Sequence, residues 1–405
     1  MLQGKTVLLG VTGGIAAYKM PNVARMLKKM HCNVHVLMTQ NATNFITPTA
    51  FETLTANKCL IDTFDRNFQF SVEHVALAKQ ADLILLAPAT ANIIGKIANG
   101  IADDMLTTTI MACTCKCMVA PAMNHNMYHN AIVQENIEKL KHHGYEIIDP
   151  VCGMLANGDT GDGKLPSEET LVQYVLKELA CPKDMEGMRV MVTAGPTQEA
   201  LDPVRYITNH STGKMGYAIA RMAMYRGAKV TLISGPTELP APMFVDTVPV
   251  VTADEMYDAV MRGAGDQEII VKAAAVADYR PSEVAVEKIK KSEGNAVIPM
   301  ERTKDILEAL GERKRGTILC GFSMETEHML ENSRRKLEKK NLDMIAANNL
   351  KEPGAGFGTD TNILTLITRE GTKQLDLMSK EEAANQLLDE LLHIKKVRKN
   401  EERYS

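Results

Sequence analysis

Residues 121–128 combine two amides, two rings and two thioethers in one short run, Pro-Ala-Met-Asn-His-Asn-Met-Tyr. The run directly follows an apolar strand predicted over residues 118–120. Ligands of open parallel sheets bind at the carboxyl ends of the strands, which is where this run lies. We therefore predict a ligand site formed by Met123, Asn124 and Met127. A Met-rich loop that only covers the core is the alternative.

Other strand ends carry similar groups. The turn at residues 10–19 (Gly-Val-Thr-Gly-Gly-Ile-Ala-Ala-Tyr-Lys) joins a predicted strand to a helix, whose first N–H groups suit a phosphate. Its spacing is not Gly-x-Gly-x-x-Gly, and a plain tight turn fits equally well. Thr39 ends the second predicted strand, and residues 87–92 (Ala-Pro-Ala-Thr-Ala-Asn) end the next long one. We expect these groups to converge on one crevice.

His74 stands alone at the start of a helical stretch. A helix N-terminus disfavours the imidazolium form, so a neutral base is consistent with this position. A purely structural histidine is the alternative.

The second half has its own set of polar strand ends. Residues 209–216 (Asn-His-Ser-Thr-Gly-Lys-Met-Gly) precede a helix, and we predict Ser211 and Thr212 as its N-caps. Free N–H groups there suit a polyphosphate, but the Walker A spacing is absent and a structural cap is the alternative. A later strand runs into Asp278 and then into Lys-Ile-Lys-Lys at 288–291. Such lysines fit a Mg²⁺–triphosphate, although a basic run is also typical of a solvated face.

Short β-branched runs alternate with helical periodicity in both halves, which predicts parallel α/β architecture. Strands are predicted at residues 6–9, 34–38, 83–87, 118–120 and 146–148, and then at 190–193, 230–234, 269–273, 318–322, 344–347 and 363–367. Each half opens with a strand, a Gly-containing turn and a helix. We expect two Rossmann-like domains, residues 1–188 and 189–405. The four glycines of residues 150–166 predict a mobile loop, either a linker or an active-site flap.

Composition narrows the class of protein. The 405 residues suggest two or three domains, and a net charge of −4 provides no footprint for nucleic acid or an anionic membrane. No apolar run is long enough for a membrane span and no export signal is evident, so we expect a cytoplasmic protein. Cys113, Cys115 and Cys117 lack partners at zinc spacing and are interpreted as buried thiols. The basic stretch 395–403 is interpreted as a solvated helix end or frayed tail.

The motifs of the first 180 residues together resemble the homo-oligomeric flavin-containing cysteine decarboxylases: Gly-Gly-Ile-Ala-Ala-Tyr-Lys, the isolated His, Ala-Pro-Ala-Thr-Ala-Asn and Pro-Ala-Met-Asn-x-x-Met. Their order and spacing are similar to those of phosphopantothenoylcysteine decarboxylase. The resemblance implies a flavodoxin-like flavoprotein domain in which His74 assists thiol oxidation and Asn124 holds the substrate. It implies FMN binding by Gly13, Gly14, Ile15, Thr39, Phe45, Ala89, Thr90 and Asn92.

One position departs from this family. Bacterial members often have Ala-Cys-Gly-Asp in the flap, where the Cys protonates the enethiolate formed by decarboxylation. Residues 156–159 here read Ala-Asn-Gly-Asp, so Asn157 replaces that Cys. Cys152 on the same loop, water or a second residue would then serve as donor, or the final reductive step is impaired.

Residues 189–395 resemble phosphopantothenate–cysteine ligase through Asn-x-Ser-x-Gly-x-Met-Gly, Ala-Ala-Val-Ala-Asp-Tyr and Lys-Ile-Lys-Lys. The resemblance implies that CTP activates 4′-phosphopantothenate as an acyl-cytidylate, which the cysteine amine attacks. It assigns Asn209 and Arg205 to the substrate and Lys288 to charge stabilisation in the second step. The implied CTP ligands are Ser211, Gly213, Gly216, Lys272, Ala273, Ala274, Asp278, Lys288, Lys304, Asp305, Ile306, Leu307, Phe322, Lys336 and Lys340. Thr-Lys-Asp at 303–305 replaces an Asn-Pro-Asp type sequence, which leaves the base and ribose contacts open.

The fused arrangement is similar to the bifunctional bacterial proteins of coenzyme A synthesis, which implies the cofactors FMN and Mg²⁺ and the substrates 4′-phosphopantothenate, cysteine and CTP. By analogy the flavin domain forms trimers and the ligase domain dimers within a dodecamer. Two alternatives remain. One is a ligase whose flavin domain omits the final reduction. The other is a non-catalytic flavoprotein regulator, which the presence of His74, Asn124, Asn209 and Lys288 disfavours.

Overall fold

A computed structural model describes residues 1–63, 73–154, 160–290, 297–325, 329–349 and 358–404. The chain divides into two compact units, Met1–Cys181 and Pro182–Ser405. The boundary predicted at residue 188 lies a short way beyond this division. Asn157 and the rest of the predicted flap tip at 155–159 lie outside the described residues.

The first unit is built on a parallel sheet, five-stranded in the described residues, in the order β2-β1-β3-β4-β5. Its strands are β1 (Thr6–Val11), β2 (Asn33–Met38), β3 (Leu83–Ala89), β4 (Lys116–Pro121) and β5 (Glu146–Ile147). This is the flavodoxin-like order, in which the direction of winding reverses between β1 and β3. Every residue of β1 and β3 is buried, as expected for central parallel strands with both faces covered.

Helices of the first unit begin at well-formed caps. They are α1 (Met20–Lys29), α2 (Pro48–Thr55), α3 (Glu73–Gln80), α4 (Ala91–Ala98), α5 (Met105–Ala112), α6 (His125–Tyr128), α7 (Ala131–His142) and α8 (Glu168–Leu179), with 3-10 turns over Ile15–Lys19 and Gln40–Asn44. Asp104 and Thr107 form a capping box at α5, and Ser167 caps α8. Buried Ile93 and Ile97 belong to the same apolar cluster as residues of β3 and β4.

The Gly-rich segment after β5 is more ordered than the sequence predicted. Its two sides, β6 (Val151–Met154) and β7 (Thr160–Lys164), form an antiparallel hairpin. Gly163 has φ +118°, and a Cβ there would collide with the carbonyl oxygen of Met123. The Met123 N–H in turn donates to the Gly163 carbonyl over 3.0 Å. The glycine thus lets the hairpin lie directly against the Asn124 loop.

The second unit has a larger sheet, eight-stranded in the described part of the chain, in the order β12-β11-β8-β13-β16-β17-β19-β20. These strands are β8 (Arg189–Ala194), β11 (Lys229–Ser234), β12 (Asp246–Pro249), β13 (Ile269–Lys272), β16 (Ile318–Glu325), β17 (Met344–Asn349), β19 (Leu364–Thr368) and β20 (Thr372–Gln374). The strands from β12 to β17 pair in parallel, and β19 and β20 are antiparallel. The parallel part has the Rossmann order, which reverses between β8 and β13.

Small hairpins and helices surround this sheet. The hairpins pair β9 (Gln198–Ala200) with β10 (Tyr206–Thr208), β14 (Tyr279–Pro281) with β15 (Met300–Arg302), and β18 (Thr361–Asn362) with β21 (Met378–Ser379). The helices are α9 (Lys214–Tyr225), α10 (Ala253–Gly263), α11 (Ile306–Arg313), α12 (Met329–Lys339) and α13 (Lys380–Tyr404), with a 3-10 turn over Ala264–Asp266. The long strands were predicted, whereas the short hairpins carry too few residues for a detectable period.

The structure decides two predictions about helix ends, and the one for α9 was wrong. The residue at the N-cap of α9 is Gly213, at φ +78°, and neither Ser211 nor Thr212 occupies that position. The basic stretch 395–403 forms the C-terminal end of α13, which confirms the helix end of the two alternatives and not the frayed tail. Lys395 pairs with Glu268 and Arg398 with Asp343, so the body of the second unit anchors this stretch.

Only one of the three cysteines interpreted as buried thiols is fully buried. Cys117 is buried in the core of the first unit, whereas Cys113 and Cys115 are partly buried and pack against the same cluster. Within the described ranges, no helix combines the length and apolar character needed to cross a membrane.

Candidate functional sites

Hydrogen bonds join the ends of β1 and β3 at the point where the first sheet reverses. The Thr12 hydroxyl donates to the Pro88 carbonyl over 2.6 Å and accepts from the Thr90 N–H over 3.1 Å. Thr90 then caps α4 by accepting from the Ile93 N–H. A Cβ on Gly14 would meet only the Thr90 methyl, at 3.7 Å, so the turn stays open toward this edge. The arrangement leaves room for a phosphate or ring at the reversal point.

Exposed apolar side chains border the same edge. The Thr39 N–H donates to the Val11 carbonyl over 3.0 Å, so the end of β2 is held beside the end of β1. Ile15 and Phe45, in the turns that follow these strands, are 56% and 44% exposed. Large exposed apolar groups next to a polar turn suit a planar, partly apolar ligand such as a flavin ring.

The end of β4 completes this edge. The Ala122 N–H donates to the Ala89 carbonyl over 3.0 Å, which places the Asn124 loop beside the end of β3. The Asn124 side-chain oxygen accepts from the Asn126 N–H over 2.9 Å and caps α6. This bond fixes the side chain and leaves its NH₂ group to bind a ligand acceptor. Met127 is 48% exposed.

His74 is half-buried in the first described turn of α3. In a parallel α/β sheet the helix that leads into a strand runs antiparallel to it, so we expect the N-terminal end of α3 at the carboxyl edge of the sheet. The structure thus places the predicted FMN and substrate residues of unit one along one edge of the sheet. Cys152 lies in β6 and is exposed.

A basic pocket of about 430 Å³ lies at the carboxyl edge of the second sheet. Seven predicted CTP residues line it: Lys272, Asp278, Lys304, Asp305, Ile306, Leu307 and Lys340. Sequence reasoning missed Val276, Ala277, Tyr279, Arg302, Thr303, Glu308 and Lys339, which also line it. Arg302 and Lys339 are basic residues close in sequence to the predicted Lys304 and Lys340, so their charge and position could have identified them.

Lys272 lies at the base of this pocket, at the end of β13. Burial, and to a smaller extent the nearby charge of Lys340, lowers the pKa of its ammonium group to about 8. Its Nζ donates to the Ala274 carbonyl over 3.0 Å. An anionic ligand would stabilise the charged form of Lys272 and so raise its pKa again, as expected for a phosphate site.

Asp305 and Lys340 also line the pocket and form an ion pair. The Lys340 Nζ lies 2.6 Å from the Asp305 carboxylate, which also caps α11 by accepting from the Glu308 N–H over 3.0 Å. Burial alone would raise the pKa of Asp305, but the hydrogen bonds from Lys340 and the Glu308 N–H, together with the charges of Lys340 and Lys272, outweigh it and hold that pKa below its usual value. The pair therefore stays ionised.

Lys304 has its own partners at the pocket rim. Its Nζ lies 4.9 Å from the ring centroid of Tyr257 and 3.9 Å from the Asp254 carboxylate. Arg280 pairs with the same carboxylate and with Glu301. These contacts hold the Lys304 ammonium beside the pocket.

The segment between β8 and α9 contacts the residues that follow β13, next to the point where the strand order of the second sheet reverses. The Asn209 amide donates to the Ala275 carbonyl over 2.9 Å, and the Ala275 N–H donates to Gly195 over 3.0 Å. A Cβ on Gly216 would lie 2.6 Å from the Ala194 methyl, so α9 packs closely on β8. This is the place where Rossmann folds bind phosphates.

A buried carboxylate fixes the segment that carries Lys288. Asp202 accepts from the backbone N–H groups of Val204 and Arg205, at 2.9 and 2.8 Å. It also accepts from the Ile289 N–H over 3.1 Å, while the Arg205 guanidinium donates to the Ile289 carbonyl over 3.0 Å. The hydrogen bond from Arg205 holds the pKa of Asp202 far below its usual value. Both backbone groups of the residue after Lys288 are thus held.

Several predicted residues lie away from the pocket lining. They are Ser211, Gly213, Gly216, Ala273, Ala274, Lys288, Phe322 and Lys336. Lys336, one turn before Lys340, lies near enough to Lys272 to contribute to its lowered pKa. Phe322 is half-buried in β16.

The two folds and their edges define a class of protein, an α/β flavoprotein joined to a nucleotide-binding unit. Comparison with known families agrees with this class. The Flavoprotein family matches residues 1–180, and the DNA/pantothenate metabolism flavoprotein C-terminal domain matches residues 185–394. The chain belongs to the family of bifunctional coenzyme A biosynthesis proteins called CoaBC.

Relatives extend over nearly the full chain. The coenzyme A biosynthesis bifunctional protein CoaBC of Bacillus subtilis is 45% identical, over 98% of this chain and 98% of its own. That of Escherichia coli K12 is 43% identical over 96% of this chain and 97% of its own. A crystal structure of a CoaBC C-terminal domain is 41% identical, covers 53% of this chain and 98% of its own, and has a TM-score of 0.45.

Proposed function

We propose that the two units catalyse consecutive steps, ligation in residues 182–405 and decarboxylation in residues 1–181. The chain is a bifunctional enzyme of coenzyme A biosynthesis, a phosphopantothenate–cysteine ligase and a phosphopantothenoylcysteine decarboxylase. The substrates are 4′-phosphopantothenate, cysteine and CTP, and the product is 4′-phosphopantetheine.

The basic pocket at the carboxyl edge of the second sheet is the observation that carries the ligase proposal. CTP with Mg²⁺ would place its phosphates beside Lys272 and Lys340, whose charges oppose each other until an anion binds. Asn209, held against the Ala275 carbonyl, would orient the acyl-cytidylate. Lys288, whose backbone is fixed through Ile289, would stabilise charge as the cysteine amine attacks.

The first unit is a flavoprotein domain, and we propose FMN as its flavin. The open turn at Gly14 and the exposed Ile15 and Phe45 fit a phosphate and a ring at that edge. When bound, the flavin would accept and return the hydride that makes loss of CO₂ feasible. His74 would take the thiol proton, and the capped Asn124 would hold the substrate carboxylate or amide through its NH₂ group.

Decarboxylation leaves an enethiolate that a further group must protonate. Cys152 is exposed on β6, in the hairpin that lies against the Asn124 loop. A thiol there would be a far better proton donor than an amide at position 157. We therefore propose Cys152 as the proton donor, with water as the alternative.

Assembly and location follow from the family likeness only. We propose trimers of the first unit and dimers of the second within a dodecamer, and a cytoplasmic location. Sedimentation of the purified protein would measure the assembly directly.

The deciding experiment is a product assay. We would incubate yellow, flavin-loaded protein with 4′-phosphopantothenate, cysteine, CTP and Mg²⁺ and identify the products by mass. Formation of 4′-phosphopantetheine is expected. Accumulation of 4′-phosphopantothenoylcysteine or of an oxidised enethiol would favour a flavin domain without its final reductive step, and no CTP-dependent product at all would refute the ligase proposal.

A matched cysteine pair tests the donor. Cys152→Ala is expected to lose 4′-phosphopantetheine and release the oxidised enethiol. Cys181→Ala, at the end of the same unit, should leave the product unchanged. Unchanged turnover of Cys152→Ala would exclude Cys152 as the donor and leave water or a second residue.

A further inference from the structure

His125, His129 and Asp162 form a cluster that the flavoprotein motifs do not require. His125 is a variable position of Pro-Ala-Met-Asn-x-x-Met, and His129 follows that motif. The two histidines lie one helical turn apart on α6 and the residue after it, with ring centroids 4.4 Å apart. Asp162 reaches them from β7 of the hairpin.

The donor atoms of these residues are close enough to share a cation. Among the residues that the structure describes, this is a group of metal-binding side chains whose ligand atoms all lie within 4.8 Å of one another. In a tetrahedral zinc site, bonds of about 2.0–2.2 Å bring neighbouring donors to roughly 3.3 Å. His129 is exposed and the other two are half-buried, so side-chain rotation can close the remaining gap.

We propose that His125, His129 and Asp162 bind a divalent transition-metal cation such as Zn²⁺. Two imidazoles and one carboxylate prefer zinc, cobalt or nickel over Mg²⁺ or Ca²⁺, which take oxygen ligands. A water molecule would complete the coordination. No part of this set belongs to the CTP pocket, where Mg²⁺ would act.

The present hydrogen bonds show what the cation would replace. The Asp162 N–H donates to His125 Nδ1 over 3.2 Å, and His129 Nε2 lies 3.2 Å from the Asp162 carboxylate. Coordination through the carboxylate and His129 takes the place of the second contact. His125 would bind through Nδ1, releasing the Asp162 N–H to water, or through Nε2 after its ring turns over.

A cation here would clamp the hairpin onto the Asn124 loop. Asn124 caps α6 directly before His125, and Gly163 beside Asp162 accepts from the Met123 N–H. The metal would therefore replace the contacts of Asp162 with coordination bonds and strengthen the link between β7 and the loop that is proposed to hold the substrate. The effect on catalysis rests on the proposed decarboxylase function, whereas the metal site itself does not.

Cobalt spectroscopy on the full chain tests the site. We would strip the flavin-loaded protein with a chelator, titrate it with Co²⁺, read the visible d–d bands against the flavin background, and displace Co²⁺ with Zn²⁺. One equivalent per chain is expected, and Mg²⁺ or Ca²⁺ should not displace it. The His125→Gln and His129→Gln variants are each expected to weaken binding by more than about tenfold.

Adjacent histidines of α7 provide the control. His142 and His143 are also neighbours, with ring centroids 5.4 Å apart, and lie outside the cluster. The double variant His142→Gln/His143→Gln should bind Co²⁺ as the parent does. Absence of d–d bands in the parent protein, or equal binding by the His129→Gln variant, would overturn the site and leave the trio as a metal-free polar contact. The product assay, run separately, reports whether the decarboxylase function itself holds.

Discussion

A single ammonium group makes the ligase pocket sensitive to pH. Burial and the neighbouring charge of Lys340 both disfavour the charged form of Lys272, so its pKa falls to about 8 from an ordinary 10.5. Between those values the unfolded chain binds a proton that the folded chain lacks, so this group adds to folding stability as pH rises through that window. Phosphate binding depends on pH in the opposite direction and weakens as pH rises, because the triphosphate binds the protonated ammonium group.

We predict that CTP binding weakens by about tenfold from about pH 7 to about pH 9, since Lys272 loses its proton over that range. Calorimetric titration with CTP at several pH values measures this directly. Lys272→Met should bind weakly with a flat profile, whereas Lys229→Met, an exposed lysine at the start of β11, should behave as the parent protein does. An equally steep profile in Lys272→Met would assign the titration to another group.

At the scale of elements, the contact between α9 and β8 sets the position of the phosphate turn. Gly216→Ala would bring a methyl 2.6 Å from the Ala194 Cβ and 3.0 Å from the Thr193 carbonyl oxygen. We expect it to lower the free energy of unfolding by about 1–3 kcal/mol and to weaken CTP binding, because the helix must shift. Gly265→Ala is the control, since nothing lies within 4 Å of its added methyl. Denaturant unfolding and CTP titration of both variants decide the point.

The loop that carries Lys288 depends on Asp202 in a different way. Asp202→Asn keeps the shape of the side chain but removes the charge that holds Arg205 and the Ile289 N–H. A hydrogen bond to a charged group is worth about 1.5–3 kcal/mol, so we expect cysteine attack to slow by roughly ten- to a hundredfold. Pyrophosphate release without cysteine, which reports the first step, should change less.

A double-mutant cycle separates positioning from general damage. If Asp202 acts through Lys288, then Asp202→Asn should have little further effect on cysteine attack in a Lys288→Ala background. Additive losses, or an equal fall in both half-reactions, would mean that Asp202 supports the fold or Arg205 rather than Lys288.

At the scale of the whole molecule, the division between the units falls before residues that serve the second one. Asp184 pairs with the buried guanidinium of Arg226, and the Met185 N–H donates to the Arg226 carbonyl over 3.0 Å. Lys183 donates to the Tyr225 carbonyl over 2.6 Å. The segment 182–188 therefore belongs with the end of α9, although it precedes the first strand of its sheet.

We predict that residues 182–405 fold and retain ligase activity when produced alone. A version beginning at residue 189 should be less stable by about 1–3 kcal/mol, because Arg226 loses one carboxylate while Asp389 remains. Thermal unfolding of the two fragments at equal concentration is the measurement. Equal stability would support the boundary at residue 188 instead.

Much of the architecture was accessible from the sequence. Buried strands and the turns that follow them leave local patterns, so the strands at Thr6–Val11 and Lys229–Ser234 were predicted with nearly the observed ends. The hairpin β6–β7 was predicted as a mobile loop, because its glycines conceal the contact with Met123 that orders it. The cap of α9 was assigned to hydroxyl residues, because a glycine at φ +78° has no side chain to signal its role.

The sequence by itself determined the two α/β units and the kinds of side chain at their strand ends, since both follow from short-range patterns of burial and turn chemistry. It did not show that β19 and β20 are antiparallel to the rest of the second sheet. The family resemblance implied that Lys272, Asp305 and Lys340 bind one nucleotide, but only the tertiary structure showed that they line one pocket and that burial lowers the pKa of Lys272. It likewise brought Asp162 to His125 and His129. Strand order and desolvation depend on contacts between distant parts of the chain, and these leave no local trace in the sequence.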